Sequence, residues 1–392
     1  MRKKIVILGS TGSIGCTTLN IISKKNNFFK IDTLVANSNY KKIIYQIKKY
    51  KPKNFIIQNY ETFNKVKKNI KNKTKLYNNL DDFISSKKKY DITVSAIPGI
   101  AGLKSTIYFT KKSKKILLAN KESIVCGWSI IKDISKKKKC KIIPLDSEHF
   151  SIFKFIKNRK NSEIEKIYIT ASGGPFLKLP LNKFKYITPK LALNHPKWNM
   201  GKKISIDSST LMNKIFELIE AQKIFNIDNK KFEIIIHPQS LVHAIVKFKN
   251  GITKLLYHET DMTIPISNAM FDTNFNIKSF LQPLKKKSDI SNLEFIEVDK
   301  NRYPSVNIIP ILNKSPSTPI IINAANEILV DHFLKRKITF NSIYRYLYLV
   351  LRDKSYRKYA IYRPNNIKNI FAVDLWSRNT TLDVIKKHNK TI

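Results

Sequence analysis

The chain has 392 residues, 42% of them hydrophobic, enough for two or three buried cores. No uninterrupted apolar run reaches the roughly 18 residues that a membrane span needs, so no membrane partner is expected. A net charge of +45 invites an anionic partner, yet the lysines are strewn along the chain without zinc-finger spacing, an RNP-like motif or a basic heptad.

Heavy lysine, isoleucine and asparagine usage, all with A/T-rich codons, accounts for that surface, and no nucleic-acid partner is expected. Cys16, Cys126 and Cys140 are too few and too scattered for a disulfide framework or a zinc site. The run after Lys4 is too short for a signal h-region, so the reading is a reducing cytoplasm.

Through residue 145, short β-branched runs alternate with lysine-bearing helical segments, the pattern of βαβ units. The predicted strands are Lys4–Leu8, Ile31–Ala36, Asn54–Gln58, Ile92–Ala96, Ile116–Ala119 and Lys141–Leu145. They imply an α/β, doubly wound parallel (Rossmann-like) sheet, whose ligands bind beyond the strand carboxyl ends. After about residue 150, predicted strands Ile164–Thr170 and Phe232–Ile236 flank a helix from Ser209 to Phe225. A hairpin, Leu241–Phe248 and Ile252–Tyr257, closes on Lys249-Asn250-Gly251. Residues 276–310 read as an irregular linker, and helices follow from Pro319. The expected division is 1–145 for nucleotide binding, 146–275 as a central α+β catalytic and dimerisation domain, the linker, and 311–392 as a small helical domain.

Gly9, Gly12 and Gly15 follow the first strand and open a helix, where glycine allows a tight turn and close approach of a pyrophosphate. Ser10, Thr11, Ser13 and Ile14 add hydroxyls and amides. An NAD site normally places a carboxylate at the end of the second strand, but here that end reads Ala36-Asn37-Ser38-Asn39-Tyr40-Lys41-Lys42. The missing acid and the following lysines favour NADP(H).

Asp146 and Glu148 are two apart on what reads as an extended segment, so their carboxylates face one way and suit a hard divalent cation. Taken alone, such a pair reads more readily as exposed loop acids. His195 to Gly201 reads as a loop that covers a ligand or anchors to the core through Trp198 and Met200. Ser208 or Ser209 is a natural N-cap, and a helix N-terminus bearing hydroxyls is a ready phosphate site. Asn213, Lys214 and Glu217 share one helical face, although by themselves the latter two read as a surface ion pair.

Taken together, Gly9 to Gly15, Asn120-Lys121-Glu122, Asp146-Ser147-Glu148-His149, Ala171 to Phe176, His195 to Gly201, Asp207 to Glu217, His237 to His243 and Asn323 to Glu327 occur in an order that resembles the 1-deoxy-D-xylulose 5-phosphate reductoisomerase family. The resemblance implies NADPH-dependent conversion of 1-deoxy-D-xylulose 5-phosphate, a sugar phosphate, to 2-C-methyl-D-erythritol 4-phosphate, through retro-aldol cleavage, re-aldolisation and hydride transfer. It implies a manganese or magnesium ion, with cobalt also possible, held by Asp146, Glu148 and Glu217. Lys121 and Ser147 would bond the reacting oxygens, while Ser172, Ser208, Asn213 and Lys214 take the phosphate and His195 closes over the substrate. Trp198 and Met200 would form a lid. Gly9 to Gly15, Asn37, Ser38, Asn39, Asn120, Glu122 and Gly201 would bind the cofactor, and the enzyme would be a homodimer. His243 matches a histidine that the family ties to activity.

Three departures stand out. Ser38 occupies a position that is usually basic, Pro98 replaces a valine, and His258-Glu259-Thr260-Asp261-Met262 differs from a glycine-and-proline version. The alternatives are a semialdehyde- or homoserine-type dehydrogenase and a basic nucleic-acid-binding protein.

Overall fold

The computed structural model describes residues 2–70, 73–83, 89–198, 200–271, 276 and 292–389. They fall into two compact units, one of residues 1–123, 131–150 and 261–284 and the other of residues 124–130, 151–260 and 285–392.

The first unit is built on a seven-stranded sheet of β1 (Lys3–Leu8), β2 (Phe29–Ala36), β3 (Asn54–Ile57), β4 (Lys75–Tyr77), β5 (Tyr90–Ser95), β6 (Ser113–Leu118) and β7 (Lys141–Pro144), in the order β4-β3-β2-β1-β5-β6-β7. All neighbours pair in parallel. Helices covering both faces explain why Ile5, Val6, Ile7 and Leu8 form one continuous apolar run and are fully buried. Each such side chain contributes about 1.5–3 kcal/mol of burial. The order in which successive strands are added reverses between β1 and β5, which opens the crevice at their carboxyl ends. Six strands were legible in the sequence. The seventh, β4, is a three-residue edge strand with Lys75 exposed and Leu76 and Tyr77 half-buried, and it leaves no alternating pattern.

The second unit carries a five-stranded mixed sheet in the order β11-β10-β8-β9-β12, from β8 (Ile164–Ala171), β9 (Phe232–Ile236), β10 (Val242–Phe248), β11 (Thr253–Tyr257) and β12 (Ile296–Glu297). β10 and β11 form the expected antiparallel hairpin, and β8 and β9 pair in parallel. Helices Thr318–Leu334, Phe340–Leu351 and Ile367–His388 pack together in the same unit.

Three sequence expectations require correction. The expected irregular linker includes β12, which pairs with β9, and a 3-10 turn at Pro304–Ile311; its residues 277–291 lie outside the described residues. The helix expected from Ser209 is two helices, Lys202–Ser209 and Met212–Phe225, separated at Leu211 with φ +63°. Ser208 and Ser209 therefore sit at the C-terminal end of the first, not at an N-cap. The segment at Asp146 is not extended either, because a helix starts at Ser147 and runs to Ile156. The apolar spacing of Phe150, Ile152 and Phe153 outweighs the strand-like run before it.

Candidate active site

In the first unit the glycine loop joins β1 to the helix Ser13–Lys24. Gly9 has φ +80°, and a Cβ there would lie 2.5 Å from the Ala96 carbonyl oxygen. A Cβ on Gly15 would lie 2.3 Å from the Gly9 carbonyl oxygen. Only glycine lets the loop fold this tightly on the β5 end. Gly12 caps the helix without any side-chain bond, so its first amides remain for an anion. Thr11, Gly12 and Ser13 reach solvent. Ser10 does not, since its hydroxyl donates to Gln46 Oε1 at 2.7 Å and its carbonyl accepts from Gln46 Nε2 at 2.8 Å. The side chain of Ser10 braces the loop, and the expected hydroxyl contribution to the cradle is confined to Thr11 and Ser13. Asn37, Ser38 and Asn39 are exposed at the β2 end.

Asn120 caps the helix Lys121–Lys138, accepting from Ser123 N at 2.5 Å while its amide donates to the Ile97 and Gly99 carbonyls. Its side chain is thus spent on holding the β5 and β6 ends together. Glu122 is buried beside it. That cap presents Lys121 toward the β7 end, where its Nζ lies 3.0 Å from Asp146 Oδ2. His149 Nδ1 lies 3.6 Å from Asp146 Oδ1. Burial acts to raise the Asp146 pKa, but the Lys121 ammonium and His149 outweigh it and hold the carboxyl well below its usual range. Ser147 Oγ donates to Glu148 Oε2 at 2.6 Å.

In the second unit, Ser172 follows β8 and adjoins Gly173 and Gly174. A Cβ on Gly174 would meet the Ser208 carbonyl oxygen and Ser209 Cα at 3.0 Å, so glycine lets the two serine-bearing segments pack closely. Tyr303 Oη donates to the Gly173 carbonyl at 2.7 Å and pins the loop. His195 Nε2 lies 2.9 Å from Ser172 Oγ, and its Nδ1 accepts backbone N–H bonds from Lys197 at 3.2 Å and Trp198 at 2.9 Å. An accepting Nδ1 assigns the proton to Nε2, which donates to Ser172. Ser172 Oγ also accepts from Gly174 N at 3.1 Å, so its own proton is directed outward, as an oxyanion requires. Burial, then the Lys214 charge, pushes His195 down to about 4, keeping it neutral.

Lys214 and Glu217 are not a surface pair. They are 7% and 1% exposed, with Nζ to Oε2 at 2.7 Å, and Asn213 donates to the other Glu217 oxygen. Asp207, also buried, accepts from Lys203 Nζ at 2.8 Å and Asn326 Nδ2 at 2.7 Å. Trp198 meets His243 edge-on, with ring centroids 6.0 Å apart. The His243 and His258 rings stack at 3.7 Å. Met200 and Gly201 complete the loop before the helix at Lys202.

Three family models match this chain: 1-deoxy-D-xylulose 5-phosphate reductoisomerase over residues 5–127, its C-terminal domain over 142–225, and the DXP reductoisomerase C-terminal domain over 258–380. The reductoisomerase of Pelagibacter ubique is 47% identical over 374 residues, covering 94% of this chain and 96% of the relative. That of Persephonella marina is 38% identical over 389 residues and covers 99% of both. This chain belongs to the 1-deoxy-D-xylulose 5-phosphate reductoisomerase family. Among solved structures, a DOX-P reductoisomerase in complex with NADPH, fosmidomycin and magnesium superposes with a TM-score of 0.92 at 31% identity, covering 98% of each chain. The Zymomonas mobilis enzyme in complex with NADPH gives 0.88 at 31% identity, covering 98% of this chain and all of that one.

Membership makes the chain an NADP-dependent oxidoreductase that rearranges and reduces 1-deoxy-D-xylulose 5-phosphate to 2-C-methyl-D-erythritol 4-phosphate. The dehydrogenase alternative is not favoured. Among the described residues, no helix is long and apolar enough to cross a membrane. Sequence reasoning gave no role to Gln46, which braces the glycine loop of the first unit, or to Tyr303, which pins the Gly173 loop of the second. Asn326, inside the Asn323 to Glu327 motif, had no role of its own there and donates to Asp207.

Proposed function

We propose that Asp146, Glu148 and Glu217 hold the divalent cation of this reductoisomerase, and that the glycine loop and the β2 end hold NADPH. The observation that supports the metal assignment is the Lys121 ammonium 3.0 Å from Asp146 Oδ2, which favours the carboxylate form, with Glu148 two residues further on. Ionised carboxylate oxygens suit magnesium or manganese. The cradle that a Cβ would fill at Gly9 and Gly15 supports the nucleotide assignment. When bound, the cation supplies Lewis-acid stabilisation of charge on the substrate oxygens, and NADPH supplies hydride.

The chain's own residues do the rest. Lys121 and Ser147 donate to the reacting oxygens, and Glu122 supports the nucleotide side. Ser172, Ser208, Asn213 and Lys214 take the phosphate, with the Ser172 hydroxyl already turned outward by its two incoming donors. Neutral His195 directs its Nε2 proton without adding charge, and Trp198 and Met200 exclude water from reactive intermediates. A homodimer working in the cytoplasm completes the reading; light scattering on the purified protein tests the first part.

The deciding experiment follows NADPH absorbance with 1-deoxy-D-xylulose 5-phosphate and manganese, with and without chelator. Glu217→Gln is expected to lower turnover by at least about 100-fold while NADPH binding is retained. Full activity of that variant in excess chelator would refute the metal assignment, and NADH used as well as NADPH would refute the cofactor.

A further inference from the structure

We propose that Lys42 supplies the counter-charge for the 2′-phosphate of NADPH, replacing the basic residue absent at Ser38. The proposal rests on the NADPH reading above. The ribose 2′ position of a dinucleotide lies at the carboxyl end of the second strand, where NAD enzymes place an acid. In this chain that end carries Asn37, Ser38 and Asn39, which are polar and exposed but uncharged. Asn39 is committed to capping the helix Tyr40–Tyr50, its Oδ1 accepting from Lys42 N at 3.1 Å. The Ser38 carbonyl accepts from Tyr40 N at 2.8 Å, which fixes the turn.

Lys42 is rooted in the first turn of that helix, and its side chain returns over the glycine loop. Its Nζ donates to the Thr11 carbonyl at 3.0 Å and lies 3.8 Å from Cys16 Sγ. The ammonium therefore stands between the β2 end and the uncapped start of the helix Ser13–Lys24, the two features that bracket an adenosine 2′-phosphate. Both described partners are neutral, and no carboxylate among the described residues neutralises Lys42. An ammonium has three protons; one is donated to the Thr11 carbonyl and one, weakly, to Cys16 Sγ, leaving the third for a phosphate oxygen. Lys41 is turned about 100° around the helix and points elsewhere. The positive charge absent from the β2 end thus returns from one helical turn further on, and arrives held in place by the loop.

Direct binding tests this without turnover. The full chain is titrated calorimetrically with NADPH and with NADH, in the absence of substrate and metal. Lys42→Gln is expected to lose about tenfold or more in NADPH affinity with NADH affinity unchanged, and Lys42→Arg to keep most of it. Lys41→Gln should match the unaltered chain. Equal weakening for both nucleotides in Lys42→Gln would mean that Lys42 only braces the loop through Thr11, and no weakening at all would mean that it does neither; each overturns the proposal. If the unaltered chain binds NADH as tightly as NADPH, the NADPH reading itself fails, which is a separate and distinguishable result.

Discussion

His195 is neutral where an ordinary histidine would be titrating. Burial and the Lys214 charge set its pKa near 4 in the folded protein, against about 6.5 for an unfolded chain. Between those values the unfolded chain binds more protons, so folding stability falls as pH drops. The contribution is fully present above about 6.5 and is lost as pH falls toward 4. Protonation would also end the ability of Nδ1 to accept the Lys197 and Trp198 amides, so acid should release the lid segment. His195→Gln is therefore expected to flatten the decline of the thermal midpoint between pH 6.5 and 4.5. Scanning calorimetry at several pH values checks it; an unchanged slope would show that His195 is not the group responsible.

At the scale of elements, the helix Thr318–Leu334 supports the substrate loop from a distance in sequence. Its Asn326 is fully buried and donates to Asp207, the residue before Ser208. Asn326→Ala would leave one oxygen of a buried carboxylate without that partner, which costs about 1–3 kcal/mol. The expected outcome is a lower melting temperature and a raised KM for the sugar phosphate, with NADPH affinity unchanged. A shift in NADPH affinity instead would contradict this division of labour. Such long-range support is what the sequence did not reveal. Strands β1 to β3 and β5 to β7 were legible because they read as short β-branched runs between lysine-bearing helical segments, and the loops followed from their glycines. The residues proposed for the metal and the phosphate are legible only as a set, since each alone reads more readily as a surface acid, an ion pair or a cap. The break at Leu211 was hidden because a left-handed leucine has no sequence signature, so Ser208 and Ser209 were read at the wrong end of a helix. Asn326 and Tyr303 act through contacts that span more than a hundred residues.

For the molecule as a whole, the surface is more one-signed than the formal charge of +45 conveys. Of 28 acids, Asp32, Glu122, Asp207, Glu217, Glu220 and Asp374 are buried, so they give little to the exterior, whereas most of the 73 basic residues face solvent. The surface ion pairs present, such as Lys335 with Asp331, are exposed and each worth under about 1 kcal/mol. Self-repulsion therefore works against the compact state, and salt should relieve it, because the Debye length falls from about 30 Å at 0.01 M to about 10 Å at 0.1 M. The thermal midpoint is expected to rise by a few °C over that range, on the order of 1–2 kcal/mol for a chain this long. Affinity for NADPH, itself strongly anionic, should fall over the same range, because the field that destabilises the fold also draws the cofactor in. Differential scanning fluorimetry and calorimetric titration at matched salt concentrations measure the two trends. If the midpoint instead fell with salt, attractive pairs would dominate the surface, and the dispersed lysines would be stabilising the fold rather than straining it.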